Sequence, residues 1–221
     1  MIQPLPEATE VQLRSWIAAG EVVTYLGSLK DLQNAVSPDL QILSEEERDR
    51  YARFQDAEDA RAFYGGRMLL RSVLGFLIPG AEVEIRLSPK GKPSCPHPSA
   101  PHFSLSHGGG WILISFCSAA AVGVDVESLR RAVPVESLAR RYFSENEQTE
   151  LRKRGPEEFF KIWIRKEARA KAEGDGLSVP VRSIPSRDPG WIVHEFSPDP
   201  DSLAVVTYPG PARPHHLIRG W

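Results

Sequence analysis

The sequence predicts an α+β fold whose two halves each contain helices and strands. Along the chain, segments whose apolar residues have the 3.6-residue spacing of amphipathic helices are followed by short segments in which apolar and polar residues alternate, as in strands. The central strands follow one another with short connections, which is typical of antiparallel pairing. A proline- and serine-rich segment at 95–101 lies between the halves, so we predict subdomains at 1–100 and 101–221.

The first half is predicted to contain two strands and two helices. The β-rich segment at 21–26 forms the first strand. Ser44 is expected to cap a helix, because the three acidic residues after it suit the positive end of a helix. An apolar stripe predicts a second helix over 59–77. Residues 83–87 alternate as a strand that leads into a turn at 90–93.

The second half is predicted to begin with three strands and to continue with two helices and two more strands. Ser144 and Glu147 form a capping-box pattern that opens one helix, and Pro156 opens another, which Gly174 closes. The proline-rich tail from Pro209 is expected to be loosely ordered. The predicted strands cover 102–106, 111–116, 121–126, 191–196 and 203–207.

The composition excludes several classes of protein. A formal net charge of −2 at pH 7 leaves no excess of cations for a phosphate backbone, which argues against a general nucleic-acid binder. Cys95 and Cys117 lack the spacing of a zinc site or a disulfide framework. The apolar run at 111–124 is short for a membrane span, and the N-terminus lacks the features of a signal peptide. We expect a cytoplasmic protein that binds neither nucleic acid nor membrane.

Two carboxylates end the strand predicted at 121–126. Alternation places Asp125 and Glu127 on one face of the strand and the valines on the other. Adjacent carboxylates repel each other, so the pair is stable with a cation between them or with one of them protonated. Oxygen ligands favour a hard cation such as Mg²⁺. Alone, such a pair more often faces solvent, and only its context favours a metal site.

A third carboxylate lies on the helix that opens at residue 156. Trp163, Glu167 and Lys171 are spaced i, i+4 and i+8, so they share one helix face. Carboxylates that hold a metal beside lysines suggest a site for a phosphorylated ligand. The alternative is an ordinary surface ion pair between Glu167 and Lys171, with Lys166 as a solvated residue.

The strand at 102–106 leads into a histidine and three glycines. Ser106 and His107 can donate hydrogen bonds to phosphate oxygens, and the glycines would leave backbone amides open to a ligand. The same His-Gly-Gly-Gly run is also an oxyanion-hole motif of lipases and esterases. Those enzymes need a G-x-S-x-G nucleophile elbow, which this sequence lacks, so serine hydrolysis is not favoured.

Basic residues of the first half could meet the same phosphorylated ligand. The arginines lie in pairs on helix faces, and the lysines in the glycine-proline turn could act as point charges toward a terminal phosphate. The alternative for each of them is a solvated surface residue. The candidates are Arg50 with Arg53, Arg67 with Arg71, and Lys90 with Lys92.

Seven motifs occur in a fixed order along the chain. They are Arg-Phe at 53–54, Gly-Lys-Pro at 91–93, Phe-Ser-Leu-Ser-His at 103–107, Gly-Val-Asp-Val-Glu at 123–127, Phe-Ser-Glu-Asn-Glu at 143–147, Trp-Ile-Arg-Lys-Glu-Ala-Arg-Ala-Lys-Ala at 163–172 and Gly-Asp-Gly-Leu-Ser at 174–178. The ordered set, which covers residues 45–178, is far more specific than any of its members. In this order the motifs closely resemble those of the surfactin-synthetase-type 4′-phosphopantetheinyl transferases.

The resemblance implies a pseudo-twofold pair of similar subdomains with coenzyme A and Mg²⁺ at their junction. It implies transfer of the phosphopantetheine arm of coenzyme A to a serine of an acyl or peptidyl carrier protein, with release of adenosine 3′,5′-bisphosphate. Such carriers serve fatty-acid, polyketide and nonribosomal-peptide biosynthesis. We expect a monomer, and an acidic carrier that meets an exposed apolar patch around residues 133–143.

The resemblance also implies roles for individual residues. Asp125, Glu127 and Glu167 would hold the metal. From the chemistry of the transfer we hypothesise that Asp125 anchors the ion and that Glu167 takes the serine proton, directly or through a metal-bound water. The remaining roles all concern coenzyme A. Ser106, His107 and Lys171 would contact its diphosphate, and Lys171 would lie near the scissile bond. Lys92 would contact its 3′-phosphate. Other parts of coenzyme A would be bound by Arg50, Arg53, Lys90 and Pro93.

The sequence departs from the family pattern at residue 47 and in the glycine run at 108–110, which is more flexible than the family norm. Glu47 lies where the surfactin-type prototype has a second basic residue. That substitution leaves Arg50, Arg53 or Arg61 to supply the charge.

Two other functions fit the same residues. A metal-dependent hydrolase would use the carboxylates to cleave coenzyme A or a nucleotide diphosphate without a protein acceptor. A binding module would hold coenzyme A or a carrier protein without catalysis. The complete set of three carboxylates argues against the module, because a protein without activity has no use for them.

Overall fold

The computed structural model describes residues 7–35, 38–174 and 181–220. Residues 1–6, and residues 175–178 of the Gly-Asp-Gly-Leu-Ser motif, lie outside these ranges. The helices are α1 (Glu7–Ala18), α2 (Leu29–Ala35), α3 (Glu45–Ala52), α4 (Ala57–Leu77), α5 (Val135–Tyr142), α6 (Glu145–Arg154) and α7 (Glu157–Glu173). The strands are β1 (Val22–Ser28), β2 (Arg86–Leu87), β3 (Pro93–Ser94), β4 (His102–Gly108), β5 (Trp111–Cys117), β6 (Gly123–Ser128), β7 (Trp191–Phe196), β8 (Ser202–Pro209) and β9 (His215–Arg219).

The first subdomain consists of a four-stranded sheet covered by α4. Its strand order is β4-β5-β1-β9, with antiparallel pairs except for β1 and β9, which run parallel. The apolar stripe predicted on α4 is present: Leu70, Val73 and Leu74 are fully buried in one cluster with Phe103 and Ile114 of the sheet. Burial of this stripe fixes which face of α4 is left for a ligand.

The second subdomain consists of a three-stranded antiparallel sheet covered by α7. Its strand order is β6-β8-β7. Ile164 and Ala168 of α7 are fully buried in one cluster with Val205 of β8. Gly123 lets the helix approach β6 closely, because a Cβ at this position would lie 1.8 Å from the carbonyl oxygen of Ala168. The sheet and α7 therefore form one tightly packed unit.

The two sheets meet where β4 lies beside β6. The backbone N–H of Val124 donates to the hydroxyl oxygen of Ser104, 3.2 Å away. A Cβ on Gly108 would lie 2.4 Å from the carbonyl oxygen of Val126, so the glycine permits this close approach. Gly109 adopts a φ of 61° in the turn that joins β4 to β5. The glycine run therefore has a packing role.

The two subdomains are similar, because each consists of a sheet covered by one long helix. This arrangement, together with the two family models that match the two parts of the chain, confirms the predicted pseudo-twofold fold.

The subdomain boundary between residues 100 and 101 stays a prediction. Strand pairing crosses it, because β4 and β5 follow residue 101 and yet belong to the sheet of β1. The chain passes from one sheet to the other between β5 and β6.

The C-terminal tail is ordered, so the prediction of a loose segment from Pro209 is wrong. β9 pairs with β1 along its whole length. His216 stacks on Trp16 with ring centroids 3.9 Å apart, and its Nε2 lies 2.6 Å from Glu21 Oε2. Three helices, α1, α2 and α5, were not predicted from the sequence. The strand predicted at 83–87 forms only in its last two residues, which are β2.

Candidate active site

A cavity of about 470 Å³ lies at the junction of the two subdomains. Of the residues to which the resemblance gives a role, all line it except Arg53; the further candidates Arg61 and Arg71 are not among its described lining residues either. The Nε of Arg53 donates instead to the carbonyl oxygen of Asp49, 3.0 Å away at the end of α3. The predicted residues that line the cavity are Arg50, Lys90, Lys92, Pro93, Ser106, His107, Asp125, Glu127, Glu167 and Lys171.

Asp125 is the buried centre of one side of this cavity. Alternation along β6 is as predicted, because Val124 and Val126 are buried in the core while Asp125, 4% exposed, lines the cavity. Its Oδ1 accepts hydrogen bonds of 2.7 Å each from Ser106 Oγ and Lys171 Nζ. Its Oδ2 is buried and has no hydrogen-bond partner within the described ranges. The protein therefore satisfies one carboxylate oxygen and leaves the other to a ligand.

Two further carboxylates flank Asp125. Burial, and then the negative charge of Asp125, raises the pKa of Glu127, although Arg131 Nη1 lies 3.1 Å from Glu127 Oε1. Burial and the charge of Asp125 also raise the pKa of Glu167 to about 7. These acids thus disfavour one another's charged forms, which a nearby cation would favour. Within the described residues, no three side chains of His, Cys, Asp or Glu are already arranged to hold a metal ion.

One face of α7 lines the cavity with residues spaced i, i+4 and i+8, as predicted from the sequence. Trp163, Glu167 and Lys171 all line the cavity. Lys171 Nζ donates to Ser106 Oγ, 2.8 Å away, as well as to Asp125, so this lysine joins α7 to β4 and β6. The alternative interpretation was a surface ion pair between Glu167 and Lys171 within the helix. It does not account for the bonds of Lys171 to residues of β4 and β6.

Several further cations line the cavity, on α3, on α4 and on the loop between β2 and β3. The guanidinium carbons of Arg50 and Arg67 lie 5.1 Å and 4.9 Å from the ring centroid of Phe63. Lys92 Nζ donates to the carbonyl oxygen of Ala172 in α7, 2.8 Å away, and burial lowers the pKa of this lysine. Lys92 therefore ties the loop between β2 and β3 to α7 beside the cavity.

His107 lies at the end of β4, beside α4. Its Nε2 is 3.3 Å from Asp59 Oδ1, and about half of each side chain is exposed. The contact brings the end of β4 to the first turn of α4. Side chains from both elements consequently face the same cavity.

The chain is similar to known proteins over most of its length. A model described as "4'-phosphopantetheinyl transferase superfamily" matches residues 121–207, and one described as "4'-phosphopantetheinyl transferase, N-terminal" matches residues 30–119. The 4′-phosphopantetheinyl transferase HetI of Nostoc sp. (strain PCC 7120 / SAG 25.82 / UTEX 2576) is 34% identical over 188 residues, which are 76% of this chain and 79% of that protein. The chain belongs to the 4′-phosphopantetheinyl transferase superfamily.

Two relatives of this transferase come from Bacillus subtilis. The 4′-phosphopantetheinyl transferase ffp is 35% identical over 155 residues, 67% of each chain. The 4′-phosphopantetheinyl transferase Sfp of strain 168 is 34% identical over 155 residues, again 67% of each chain. Together with the family models, these matches confirm the family that the ordered motifs indicate.

Lys166 of the transferase is buried, so the interpretation of this lysine as a solvated residue is wrong. Its side chain is 0% exposed, and its Nζ donates to Glu147 Oε2 at 2.7 Å and to the carbonyl oxygen of Ile184 at 2.5 Å. The signal for this burial was present in the sequence, because Ile162, Lys166 and Ala170 are spaced four apart on one helix face. The buried pair holds α7, and with it Glu167, against the start of α6.

Two residues of α4 have contacts that the sequence did not suggest. Phe63 places its ring between two guanidinium groups, and Asp59 lies against His107. Arg67, one of the helix arginines considered as candidates from the sequence, lines the cavity and is 4% exposed. Its neighbour Glu47 occupies the position at which the sequence departs from the family pattern.

Proposed function

We propose that this enzyme transfers the 4′-phosphopantetheine arm of coenzyme A to a serine of an acyl or peptidyl carrier protein, releasing adenosine 3′,5′-bisphosphate. The observation that supports this function is a cavity that three acids and several cations line together. Coenzyme A carries a diphosphate and a separate 3′-phosphate, so it needs several cations. The attacking serine needs a base and the leaving group needs its charge neutralised.

The residues around Asp125 suit the diphosphate of coenzyme A. Lys171 and Ser106 lie within hydrogen-bond distance of each other and present N–H and O–H donors. His107 follows Ser106 along β4 and lines the same cavity. We infer that these three side chains orient the diphosphate, and that the charge of Lys171 stabilises the phosphate next to the bond that breaks.

Glu167 is the residue that we assign as the base. It lines the cavity, and its pKa of about 7 is close to the range in which a group can accept a proton at neutral pH. Since Asp125 already accepts bonds from Lys171 and Ser106, Glu167 is the acid with more freedom to take the proton of the carrier serine.

The donor set fits a divalent metal ion. Asp125 has a buried oxygen without a partner in the described ranges, and burial raises the pKa values of Glu127 and Glu167. A hard cation prefers such oxygen ligands, so we propose that Asp125, Glu127 and Glu167 hold Mg²⁺. When bound, Mg²⁺ would neutralise charge on the diphosphate and improve the leaving group.

Exposed basic side chains on α5 support an acidic acceptor. The expected apolar patch around 133–143 is not exposed: Phe143 is fully buried, and Val135 and Leu138 pack against the same cluster. Arg140 and Arg141, in the last turn of α5, are exposed and suit an acidic carrier protein. None of the helices in the described ranges has the length and hydropathy of a membrane span. A monomeric state and a cytoplasmic location stay predictions.

Mass spectrometry of an apo carrier protein incubated with coenzyme A and Mg²⁺ tests this function. Transfer adds a phosphopantetheinyl group and should increase the carrier mass by about 340 Da. A carrier whose acceptor serine is replaced by alanine is the control and should not change. Cleavage of coenzyme A without a mass gain would favour a hydrolase, and neither change would favour a binding module.

A further inference from the structure

Arg131 contacts one of the cavity acids and lies outside the described cavity lining. Its Nη1 donates to both carboxylate oxygens of Glu127, 3.1 Å from Oε1 and 3.2 Å from Oε2. The Arg131 side chain is 60% exposed, and the residue is not among the described residues that line the cavity. Glu127, whose side chain is 17% exposed, does line it. One carboxylate therefore links the cavity to a guanidinium group at the surface.

The turn that follows β6 positions this arginine. The backbone N–H of Leu129 donates to the carbonyl oxygen of Asp201, 2.7 Å away. The backbone N–H of Arg131 donates to the carbonyl oxygen of Ser128, 3.3 Å away. The preceding residue, Arg130, pairs with a different acid, because its Nη2 lies 2.6 Å from Asp201 Oδ2. Two adjacent arginines thus pair with two different acids, and the partner of Arg131 is the one described at the cavity.

Arg131 occupies both oxygens of its acid, unlike the cation beside Asp125. Asp125 accepts from Lys171 through Oδ1, and its Oδ2 is buried without a partner in the described ranges. Both oxygens of Glu127 accept from Arg131. A divalent ion that binds Glu127 must therefore displace the guanidinium group or share an oxygen with it, and two cations on one carboxylate repel each other. An arginine does not relieve this repulsion by losing its proton.

We propose that Arg131 competes with the divalent ion for Glu127 and thereby sets how tightly the enzyme binds the ion. This proposal rests on the proposed function, which places the ion on Asp125, Glu127 and Glu167. Arg131 acts through Glu127, so it is a positioning residue and not a catalytic one. An exposed ion pair contributes little to folding, so its removal should leave the melting temperature within about 4 °C of the original.

Binding of Mn²⁺ tests the proposal without any transfer reaction. Free Mn²⁺ is measured by electron paramagnetic resonance at pH 8, where protons compete little for the carboxylates. Every sample contains the same concentration of coenzyme A, and coenzyme A without enzyme is the blank. Arg131→Gln should lower the Kd for Mn²⁺ about tenfold, because removal of a unit charge beside a divalent ion has an effect of this order.

Arg130→Gln is the matched control for this variant. It removes the same charge from the adjacent residue, which is 77% exposed and pairs with Asp201, and it leaves the contact with Glu127 intact. Its Kd for Mn²⁺ should stay within about twofold of the original. Arg131→Lys keeps a cation beside Glu127, so its Kd should stay within about threefold.

The comparison of the two glutamine variants decides the proposal. An unchanged Kd for Arg131→Gln overturns it, and so does a higher Kd, which would mean that the arginine holds Glu127 in place for the ion. An equal fall for Arg130→Gln also overturns it, because the effect would then come from surface charge in general. Failure of the unmodified enzyme to bind Mn²⁺ above the blank overturns it as well.

The Mg²⁺ dependence of transfer gives a second readout. For Arg131→Gln the Mg²⁺ concentration at half-maximal rate should fall by a similar factor, while kcat at saturating Mg²⁺ stays within about twofold. A lower kcat with an unchanged half-maximal concentration overturns the competition. Absence of transfer by the unmodified enzyme, with the expected order of Mn²⁺ affinities, would overturn the proposed function and leave this role of Arg131 in place.

Discussion

At the scale of single residues, the balance of charge around Asp125 explains how three acids can lie at one junction. Lys171 and Ser106 satisfy one oxygen of Asp125, and Arg131 contacts Glu127. The pKa of Glu167 is about 7, so this side chain is partly protonated at neutral pH. Each acid thus limits repulsion in a different way, and a divalent ion would act on all three.

Asp125→Asn keeps the shape of the side chain but removes its charge. We expect the transfer rate to fall at least about a hundredfold, because Lys171 loses its ionic partner and the metal loses its anchor. The measurement is the rate of carrier mass gain over a titration of Mg²⁺. Asp201→Asn, at a partly exposed residue paired with Arg130, should leave the rate unchanged. A wild-type rate with an unchanged Mg²⁺ requirement for Asp125→Asn would show that the anchor is elsewhere.

For Lys166, helix periodicity indicates the burial of the side chain, but the type of residue argues against it and the partner cannot be predicted from the sequence. A lysine is expected in solvent, and Glu147 is recognisable in the sequence only as the second member of a capping box. The structure gives Glu147 both tasks: it caps α6 through the backbone N–H of Ser144 and accepts a bond from Lys166. The second task depends on how α6 and α7 pack, which local patterns do not encode.

Lys166→Met should lower the free energy of unfolding by about 3–5 kcal/mol, because it leaves the charge of Glu147 buried without its cation. Chemical denaturation followed by circular dichroism measures the change. Lys161→Met, at an exposed position of the same helix, should stay within about 0.5 kcal/mol of the original protein. Equal stability of the two variants would mean that the buried pair contributes nothing to the fold.

At the scale of elements, the contact between α7 and β6 positions the acids. Gly123→Ala would place a methyl group 1.8 Å from the carbonyl oxygen of Ala168, so helix and strand must separate. We expect a loss of about 1–3 kcal/mol in stability, together with reduced transfer, because Glu167 and Asp125 lie on the two displaced elements.

The control for this variant is Gly75→Ala. Gly75 lies in α4, and a Cβ there meets no heavy atom within 4 Å. Alanine should therefore raise stability by about 0.5–1 kcal/mol through its helix preference. Thermal and denaturant unfolding measure both variants. A Gly123→Ala protein as stable and active as the original would exclude the close contact.

Elements with local signals were predictable from the sequence, and elements that depend on distant partners were not. Ser44 and Ser144 each form the full capping box with the glutamate three residues later, as their patterns indicate. The strand at 191–196 forms as predicted. By contrast, β9 is stable through pairing with β1, which lies almost the whole chain length away, and its proline-rich approach resembles a loose tail.

At the scale of the whole molecule, a histidine contact outside the cavity lining joins the two sheets. The ring centroids of His194 in β7 and His215 in β9 are 4.6 Å apart. His215 Nε2 lies 2.8 Å from Thr24 Oγ1, and His194 Nε2 lies 3.2 Å from Tyr208 OH. The contact is compatible with neutral rings, because two imidazolium groups at this distance would repel each other.

Acidification should therefore destabilise the molecule. Burial, followed by the charges of His194 and His216, lowers the pKa of His215 to about 4, whereas in the unfolded chain it is near 6.5. Between these values the unfolded state binds more protons, so stability falls as pH falls from about 6.5 to about 4. We expect a loss of the order of 2 kcal/mol from this residue.

Denaturant unfolding at several pH values between 7 and 4 measures the free energy of unfolding. Each variant is compared with the unmodified protein at the same pH. His215→Asn should flatten the stability curve in that window, and His102→Asn, at an exposed position, should leave its slope unchanged. Parallel curves for the original protein and His215→Asn would assign the acid sensitivity to other groups.

The most direct test of the account is the Glu167→Gln variant, which removes the base but keeps the size of the side chain. Calorimetric titration with coenzyme A should give a Kd within about threefold of the original, because the cations that line the cavity are unchanged. Mass spectrometry of the carrier protein should show a transfer rate reduced at least about a hundredfold. Full transfer by this variant would contradict the assignment of Glu167 as the group that activates the carrier serine.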